Sequence, residues 1–168
     1  MTAEQDTQVL VEDEEGLNDD KYLLFQLHNE IYGINIADVT EIIEMQQITD
    51  IPDMPAFVKG VINLRGKVIP IIDLRLRFAM EERDYDDRTC IIIVKTKDRS
   101  FGLIVDTVTE VEDIPQEQIS QPPSFKSEKI RENYISGLGK VGEQVLILLD
   151  VHSILRDETI QNIQLEEE

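Results

Sequence analysis

Histidine and aspartate are the residue types in this sequence that could bind a metal or transfer a proton, but their spacing favours neither role. His28 and His152 are isolated, because neither has a neighbouring Cys or His at metal-ligand spacing. Asp84, Asp86 and Asp87 resemble part of a calcium-binding loop, yet the glycine and the terminal glutamate of such a loop are missing. We therefore expect no metal site.

Nucleophile and nucleotide-binding patterns are also missing from the sequence. No serine or cysteine lies in a nucleophile elbow, and the glycine-containing hairpin segments lack the Lys-Ser/Thr pair of a phosphate-binding loop. Cys90, the single cysteine, opens an apolar run and is expected to be a buried structural thiol. We expect no catalytic residue and no cofactor, and therefore a binding protein rather than an enzyme.

The negative charge of the sequence is concentrated at its two ends. Residues 1–20 contain eight acidic residues and no Lys or Arg, and residues 157–168 contain five more, again uncompensated. Without these acidic residues the net charge would be −6 instead of −19. We expect a disordered acidic N-terminal tail at 1–20, a folded domain at 21–156 and an acidic C-terminal tail at 157–168.

The acidic body argues against nucleic acid and anionic membrane surfaces as partners, because both are bound mainly through clustered Lys and Arg. No apolar run approaches the roughly 20 residues that a membrane-spanning helix needs, and the N-terminus lacks a signal-peptide pattern. The single cysteine fits a reducing compartment. We therefore expect a cytoplasmic protein without direct membrane insertion.

The sequence contains an internal repeat. Segment 32–42 (YGINIADVTEI) recurs as 101–111 (FGLIVDTVTEV), and segment 60–73 (GVINLRGKVIPIID) recurs without a gap as 137–150 (GLGKVGEQVLILLD). Each copy is short for an independent domain. We therefore expect the two copies to share a core.

Both copies consist mainly of short predicted strands. Hairpins are predicted at 21–35, at 61–72 and at 133–149, and an apolar strand that is buried on both faces is predicted at 89–95. Short helices should follow the N-capping residues Asp73 and Asp150, the second of them near the C-terminus.

Many short strands with few helices predict a mainly β fold of small barrels or sandwiches. With the repeat, the simplest architecture is two β-barrels side by side around a shared hydrophobic core. The first barrel is expected mainly within 21–80 and the second mainly within 87–150, with exchange of strands between them left open.

One long segment resembles a known family. Segment 55–75 (PAFVKGVINLRGKVIPIIDLR) strongly resembles the signature of the CheW family of chemotaxis coupling proteins, and segments 32–34, 101–106 and 134–139 resemble the same family. The resemblance covers about residues 21–156. It implies two pseudo-symmetric five-stranded β-barrels around a hydrophobic centre, without catalytic activity.

The resemblance also implies two protein partners. Such proteins couple the cytoplasmic tips of methyl-accepting chemoreceptors to the regulatory domain of the histidine kinase CheA, and they are recruited to the inner face of the membrane through receptor complexes. The receptor tip, a helical hairpin, is expected to dock in an apolar groove between the barrels. The kinase domain is expected to contact a barrel end.

Carried over position by position, the receptor groove falls on apolar residues with a polar rim. The apolar residues are Leu23, Ile36, Val39, Ile42 and Val108, and the rim residues are Glu41, Lys59 and Arg65. From the sequence alone, a place in the hydrophobic core explains the five apolar residues equally well. An ion pair between Glu41 and Arg65 is expected.

The kinase contact is expected on the loop and hairpin of the first barrel, at Ile48, Ile51, Gly66 and Lys67. The equivalent hairpin of the second copy has no net charge at its tip, so it is expected to make a weaker contact. Two alternatives remain open from the residues. One is an RNA-binding double barrel, which the acidic body disfavours, and the other is an enzyme or small-ligand sensor with its site in the cleft between barrels.

Overall fold

The structure is a computed structural model that describes residues 20–121, 134–156 and 158–163. The strands are β1 (Lys21–Leu27), β2 (Glu30–Asn35), β3 (Val39–Glu44), β4 (Val58–Leu64), β5 (Lys67–Asp73), β6 (Cys90–Thr96), β7 (Arg99–Val105), β8 (Thr107–Asp113), β9 (Ile119–Ser120), β10 (Ile135–Val141) and β11 (Gln144–Leu149). The helices are α1 (Leu74–Arg77), α2 (Val151–Ile154) and α3 (Glu158–Gln161), with 3-10 turns at Ile36–Asp38 and Gln116–Gln118.

The strands form two sheets that are built in the same way. One is six-stranded in the order β8-β1-β2-β11-β10-β9, and the other is five-stranded in the order β3-β6-β7-β5-β4. Under the repeat, β1 to β5 correspond to β6, β7, β8, β10 and β11, so the two orders are equivalent apart from β9. Each sheet therefore takes its first hairpin from one copy and three equivalent strands from the other, and β9 is an additional strand of the six-stranded sheet.

The closed barrels expected from the resemblance are not formed, and this expectation was wrong. Both sheets are open, because among the described strands β8 does not pair with β9, nor β3 with β4. The end strands β3 and β8 instead place Ile42 and Val108 against a hydrophobic cluster shared by the two sheets. Packing against this cluster partly buries the two residues without a closing ladder of hydrogen bonds. The mainly β class with a few short helices is confirmed.

The core consists of one shared cluster and two smaller ones. The shared cluster contains residues of both copies, including Phe25, Ile72, Phe101 and Val151. The two smaller clusters each belong to one sheet, where they pack on the face turned away from the shared cluster. Strand β6 contributes to both faces, since 91–94 are all buried, as the sequence predicts for this strand.

Two repeated glycines lie where the copies pair in parallel. Gly102 is opposite Ile71, and Gly33 is opposite Leu148. A Cβ atom on Gly102 would lie 2.6 Å from Ile71 Cδ1 and 2.8 Å from Ile91 Cγ2, whereas one on Gly33 would lie 3.0 Å from Leu148 Cδ2. The glycines therefore make room for apolar side chains of the other copy and of neighbouring strands.

We expect Gly102→Ala to destabilise the fold by about 1–3 kcal/mol, because the added methyl group would displace fully buried isoleucines. Gly33→Ala is the matched variant at the equivalent site, and its looser contacts should give a smaller loss. Urea unfolding measured for both variants tests this. Equal losses, or none at Gly102, would contradict the packing argument.

The C-terminal segment is partly packed against the body. Ile160 and Ile163 are buried in the shared cluster. Arg99 donates from Nη1 to the carbonyl oxygen of Gln161 at 2.7 Å and from Nη2 to that of Ile163 at 2.8 Å. Residues 158–163 are therefore part of the folded body, which extends past the expected limit at 156. The predicted N-terminal tail, apart from Asp20, lies outside the described residues, as do 164–168.

Both predicted helix caps are confirmed. Asp73 Oδ1 accepts a hydrogen bond from the backbone N–H of Leu76 at 3.2 Å, and Asp150 Oδ1 accepts one from that of His152 at 3.0 Å. These bonds satisfy backbone donors that have no partner inside the first turn. Helices α1 and α2 therefore begin at equivalent positions of the two copies.

Candidate partner-binding site

The β4–β5 hairpin ends in a two-residue turn at Arg65 and Gly66. Their φ values are 53° and 87°, and the flanking residues Leu64 and Lys67 are paired, which defines a type I′ turn. A positive φ is uncommon for a residue other than glycine. The Asn63 side chain supports the turn by accepting from the backbone N–H of Gly66 at 2.8 Å. Arg65 is thereby held at an exposed tip.

Arg65 forms the predicted ion pair with Glu41. The guanidinium Nη2 contacts Glu41 Oε2, and the Glu41 side chain is only 12 % exposed while that of Arg65 is 65 % exposed. A largely buried carboxylate needs such a partner. Glu41 lies on β3 and Arg65 at the tip of β4, so the pair connects the two end strands of the open five-stranded sheet. In the second copy the equivalent positions hold Glu110 and Gly142, which cannot form this pair.

The five apolar residues of the expected groove lie at two depths. Leu23, Ile36 and Val39 are only 2–3 % exposed and lie inside the shared cluster. Ile42 and Val108 are partly exposed at its surface. The geometry therefore leaves Ile42 and Val108 as the members of this set that can contact a partner without rearrangement.

Cys90 and Val111 extend this surface. Both are partly buried and pack against the shared cluster. The Cys90 thiol donates to the carbonyl oxygen of Arg88 at 3.3 Å. Burial raises the pKa of Cys90, which outweighs the backbone hydrogen bond from Val108 that lowers it. We call Ile42, Cys90, Val108 and Val111 the edge surface.

Lys59 lies against the linker between the copies, which runs over residues 78–89 between α1 and β6. Its Nζ is 3.0 Å from Glu82 Oε2 and 5.9 Å from the centre of the Tyr85 ring. The Tyr85 hydroxyl in turn donates to Asp73 Oδ2 at 2.6 Å, and burial followed by this hydrogen bond raises the pKa of Tyr85. Lys59 therefore holds the linker, and its amino group is engaged there.

The four residues expected at the kinase contact differ in packing and exposure. Ile48 is half-buried against the cluster of the five-stranded sheet, and its Cγ2 would lie 2.9 Å from a Cβ atom on Gly60. Ile51 is partly exposed in the following loop, and Gly66 and Lys67 are exposed at the hairpin tip. Ile48 is thus fixed by packing, whereas the other three present accessible surface.

Sequence reasoning missed Cys90 and Val111 as members of the edge surface. Cys90 was expected to be a structural thiol because it opens an apolar strand. Its proximity to Val108 depends on how the start of β8 lies relative to β6, and no sequence pattern specifies that. Val111 is the repeat equivalent of Ile42, which was the one signal that could have identified it.

Comparison with known proteins gives a consistent result. The sequence model of a family described as "CheW-like domain" matches residues 21–159. A chemotaxis protein CheW of Klebsiella aerogenes is 43% identical over 138 residues, which is 82% of each chain. One of Treponema pallidum is 35% identical over 154 residues, covering 88% of this chain and 90% of the relative. The crystal structure of the scaffolding protein TtCheW from Thermoanaerobacter tengcongensis superposes with a TM-score of 0.76 and 37% identity, covering 83% of this chain and 94% of that one.

These matches span nearly the whole described fold with its paired sheets and edge surface. The chain belongs to the CheW-like family, a family of adaptor proteins, and it is a chemotaxis coupling adaptor. Within the described residues, no helix has the length and apolar character to span a membrane.

Proposed function

We propose that the chain joins the cytoplasmic tips of methyl-accepting chemoreceptors to the regulatory domain of the histidine kinase CheA. The observation that carries this proposal is the edge surface, where partly exposed apolar side chains of two different sheets pack against one shared cluster. A partly exposed apolar surface is typical of sites that bind an amphipathic helix. The protein acts by binding alone, without catalysis.

The receptor side of this proposal is the edge surface and its rim. Ile42 and Val108 would receive the apolar residues of the receptor hairpin, with Glu41 and Arg65 orienting its polar face. Leu23, Ile36 and Val39 support this surface from below, since they are buried in the same cluster. Lys59 would contribute through the linker that it holds.

The kinase side of this proposal is the tip of the β4–β5 hairpin and the loop before it. Ile51, Gly66 and Lys67 provide accessible surface there, and Ile48 supports the loop by packing beneath it. The positive charge of Arg65 and Lys67 favours an acidic partner surface. The equivalent tip of the second copy lacks this charge and would make a weaker contact.

Binding to both partners would place the protein in the cytoplasm, at the inner face of the membrane.

Titration calorimetry with a receptor hairpin fragment and with the kinase regulatory domain, each added to the full chain, tests the proposal. Both protein partners should give saturable binding heats, whereas RNA and ATP should give none. Saturable binding of RNA or ATP without binding of either protein would contradict it.

We expect Arg65→Ala to weaken receptor binding while the protein stays folded. Arg65 is exposed, but its removal leaves the largely buried Glu41 carboxylate without its partner, so the melting temperature should fall moderately while the protein stays folded. Arg65→Lys keeps the charge but not the planar donor group, and it should recover part of the affinity. A collapse of the melting temperature in Arg65→Ala would show that the pair serves the fold instead.

A further inference from the structure

Asp106 occupies the corner at which the chain passes from one sheet to the other. Strand β7 ends at Val105 in the five-stranded sheet, and β8 begins at Thr107 in the six-stranded sheet. The Asp106 side chain is only 10 % exposed. Its backbone N–H donates to the carbonyl oxygen of Gln26 on β1 at 3.1 Å. The corner is therefore fixed on the six-stranded side by the main chain.

The Asp106 carboxylate accepts four hydrogen bonds from three other parts of the protein. Arg75 of α1 donates from Nε to Oδ1 at 2.8 Å and from Nη2 to Oδ2 at 2.7 Å, which is a bidentate arrangement. Arg83 of the linker donates from Nη1 at 3.0 Å, and the backbone N–H of His28 donates at 2.8 Å. Burial raises the pKa of Asp106, but these hydrogen bonds and charges outweigh it, so the pKa lies below its usual value.

The equivalent corner of the other copy has no such clamp. There, Ala37 takes the position of Asp106 and His152 takes that of Arg75, and Asp38, one residue further along, ends the 3-10 turn between β2 and β3. His152 Nε2 lies 3.8 Å from Asp38 Oδ1, and the two side chains are 52 % and 28 % exposed. This contact is an ion pair only when the imidazole is protonated. The fold thus forms the same corner without a buried bidentate pair, which indicates that the clamp at Asp106 serves something besides the fold.

Val108 lies two residues beyond Asp106, at the start of β8. Its backbone N–H is close enough to Cys90, at the beginning of β6, to lower the pKa of that thiol, and its side chain belongs to the edge surface. The clamp therefore fixes the position of Val108 relative to the five-stranded sheet, which carries Ile42. The other wall, β3, is held by its antiparallel pairing with β6.

We propose that Arg75 and Asp106 are positioning residues for receptor docking, because they hold the β8 wall of the edge surface in its binding position. This inference rests on the proposed function. Neither side chain reaches the partner, since Arg75 and Asp106 are 12 % and 10 % exposed. They act by preorganisation, which reduces the cost of ordering the surface when a rigid helical hairpin binds.

The test compares Arg75→Gln with His152→Gln, its matched variant at the equivalent corner. In titration calorimetry with the full chain, Arg75→Gln should raise the Kd for the receptor hairpin fragment about tenfold and leave the Kd for the kinase regulatory domain unchanged. His152→Gln should change neither. Arg75→Lys, which keeps the charge and loses the bidentate fork, should fall between Arg75→Gln and the unsubstituted chain.

Several outcomes would overturn the inference. One is an unchanged receptor affinity in Arg75→Gln. Another is an equal loss of receptor affinity in Arg75→Gln and His152→Gln. The third is a parallel loss of affinity for both partners together with a lowered unfolding midpoint. If Arg75→Gln does not fold, Arg75→Lys and Arg83→Gln test the inference instead. Each should weaken receptor binding and leave kinase binding unchanged. A lack of receptor binding by the unsubstituted chain would instead refute the proposed function.

Discussion

Val108→Glu should abolish binding of the receptor hairpin and leave binding of the kinase regulatory domain intact. Val108 is partly exposed at the edge surface, so a glutamate there would place a charge where an apolar anchor is required. Glu110 and Glu112 on the same strand already repel one another. Burial is the largest cause of the raised pKa of Glu112, and this repulsion is the next. Truncating or charging a central anchor commonly costs about 2 kcal/mol or more of binding free energy.

Val145→Glu is the matched control for this experiment. Val145 is 59 % exposed on β11 and lies outside the edge surface, so the same chemical change there should not affect receptor binding. Val39→Glu is a poorer test, because Val39 is buried and the substitution would act through the core. Loss of both partners in Val108→Glu, or aggregation, would show that Val108 serves the core.

Ile51→Asp should eliminate binding to the kinase regulatory domain. Ile51 is partly exposed in the loop that leads to β4, close in sequence to the half-buried Ile48. An aspartate would remove an apolar contact and add a negative charge beside the cationic hairpin tip. Ile48→Asp is expected to lower stability as well, because Ile48 packs against the cluster of the five-stranded sheet.

Glu143→Lys is the control for the kinase experiment. Glu143 lies at the tip of the second hairpin, which we expect to make only a weaker contact. Its charge reversal should leave the kinase Kd nearly unchanged in titration calorimetry, and the receptor Kd should be unaffected by either variant. A loss in Glu143→Lys with no loss in Ile51→Asp would assign the kinase contact to the other copy.

The sequence was sufficient for features that depend on local chemistry. The capping roles of Asp73 and Asp150, the turn at Arg65 and Gly66, and the burial of β6 on both faces are all confirmed. Each follows from residues within a few positions of one another, where backbone preferences and periodicity determine the structure. The Glu41–Arg65 pair is confirmed as well, although it joins residues from different strands.

Features that depend on how the copies pack were not predictable in the same way. Two sheets that remain open and one closed barrel per copy bury the same apolar residues, so periodicity does not distinguish them. The clamp between Arg75 and Asp106 joins positions 31 residues apart, and no motif pairs them. The placement of Lys59 against Glu82 and Tyr85 likewise depends on the path of the linker.

On the proposed function, this chain transmits signals from the receptor to the kinase. The direct test measures autophosphorylation of CheA in the presence of receptor-containing membranes, with and without the full chain. Receptor stimuli should change the kinase rate only when the chain is present, and Val108→Glu and Ile51→Asp should each remove this effect. A kinase rate that responds to receptor stimuli equally well without the chain, or does not respond when it is present, would contradict the account.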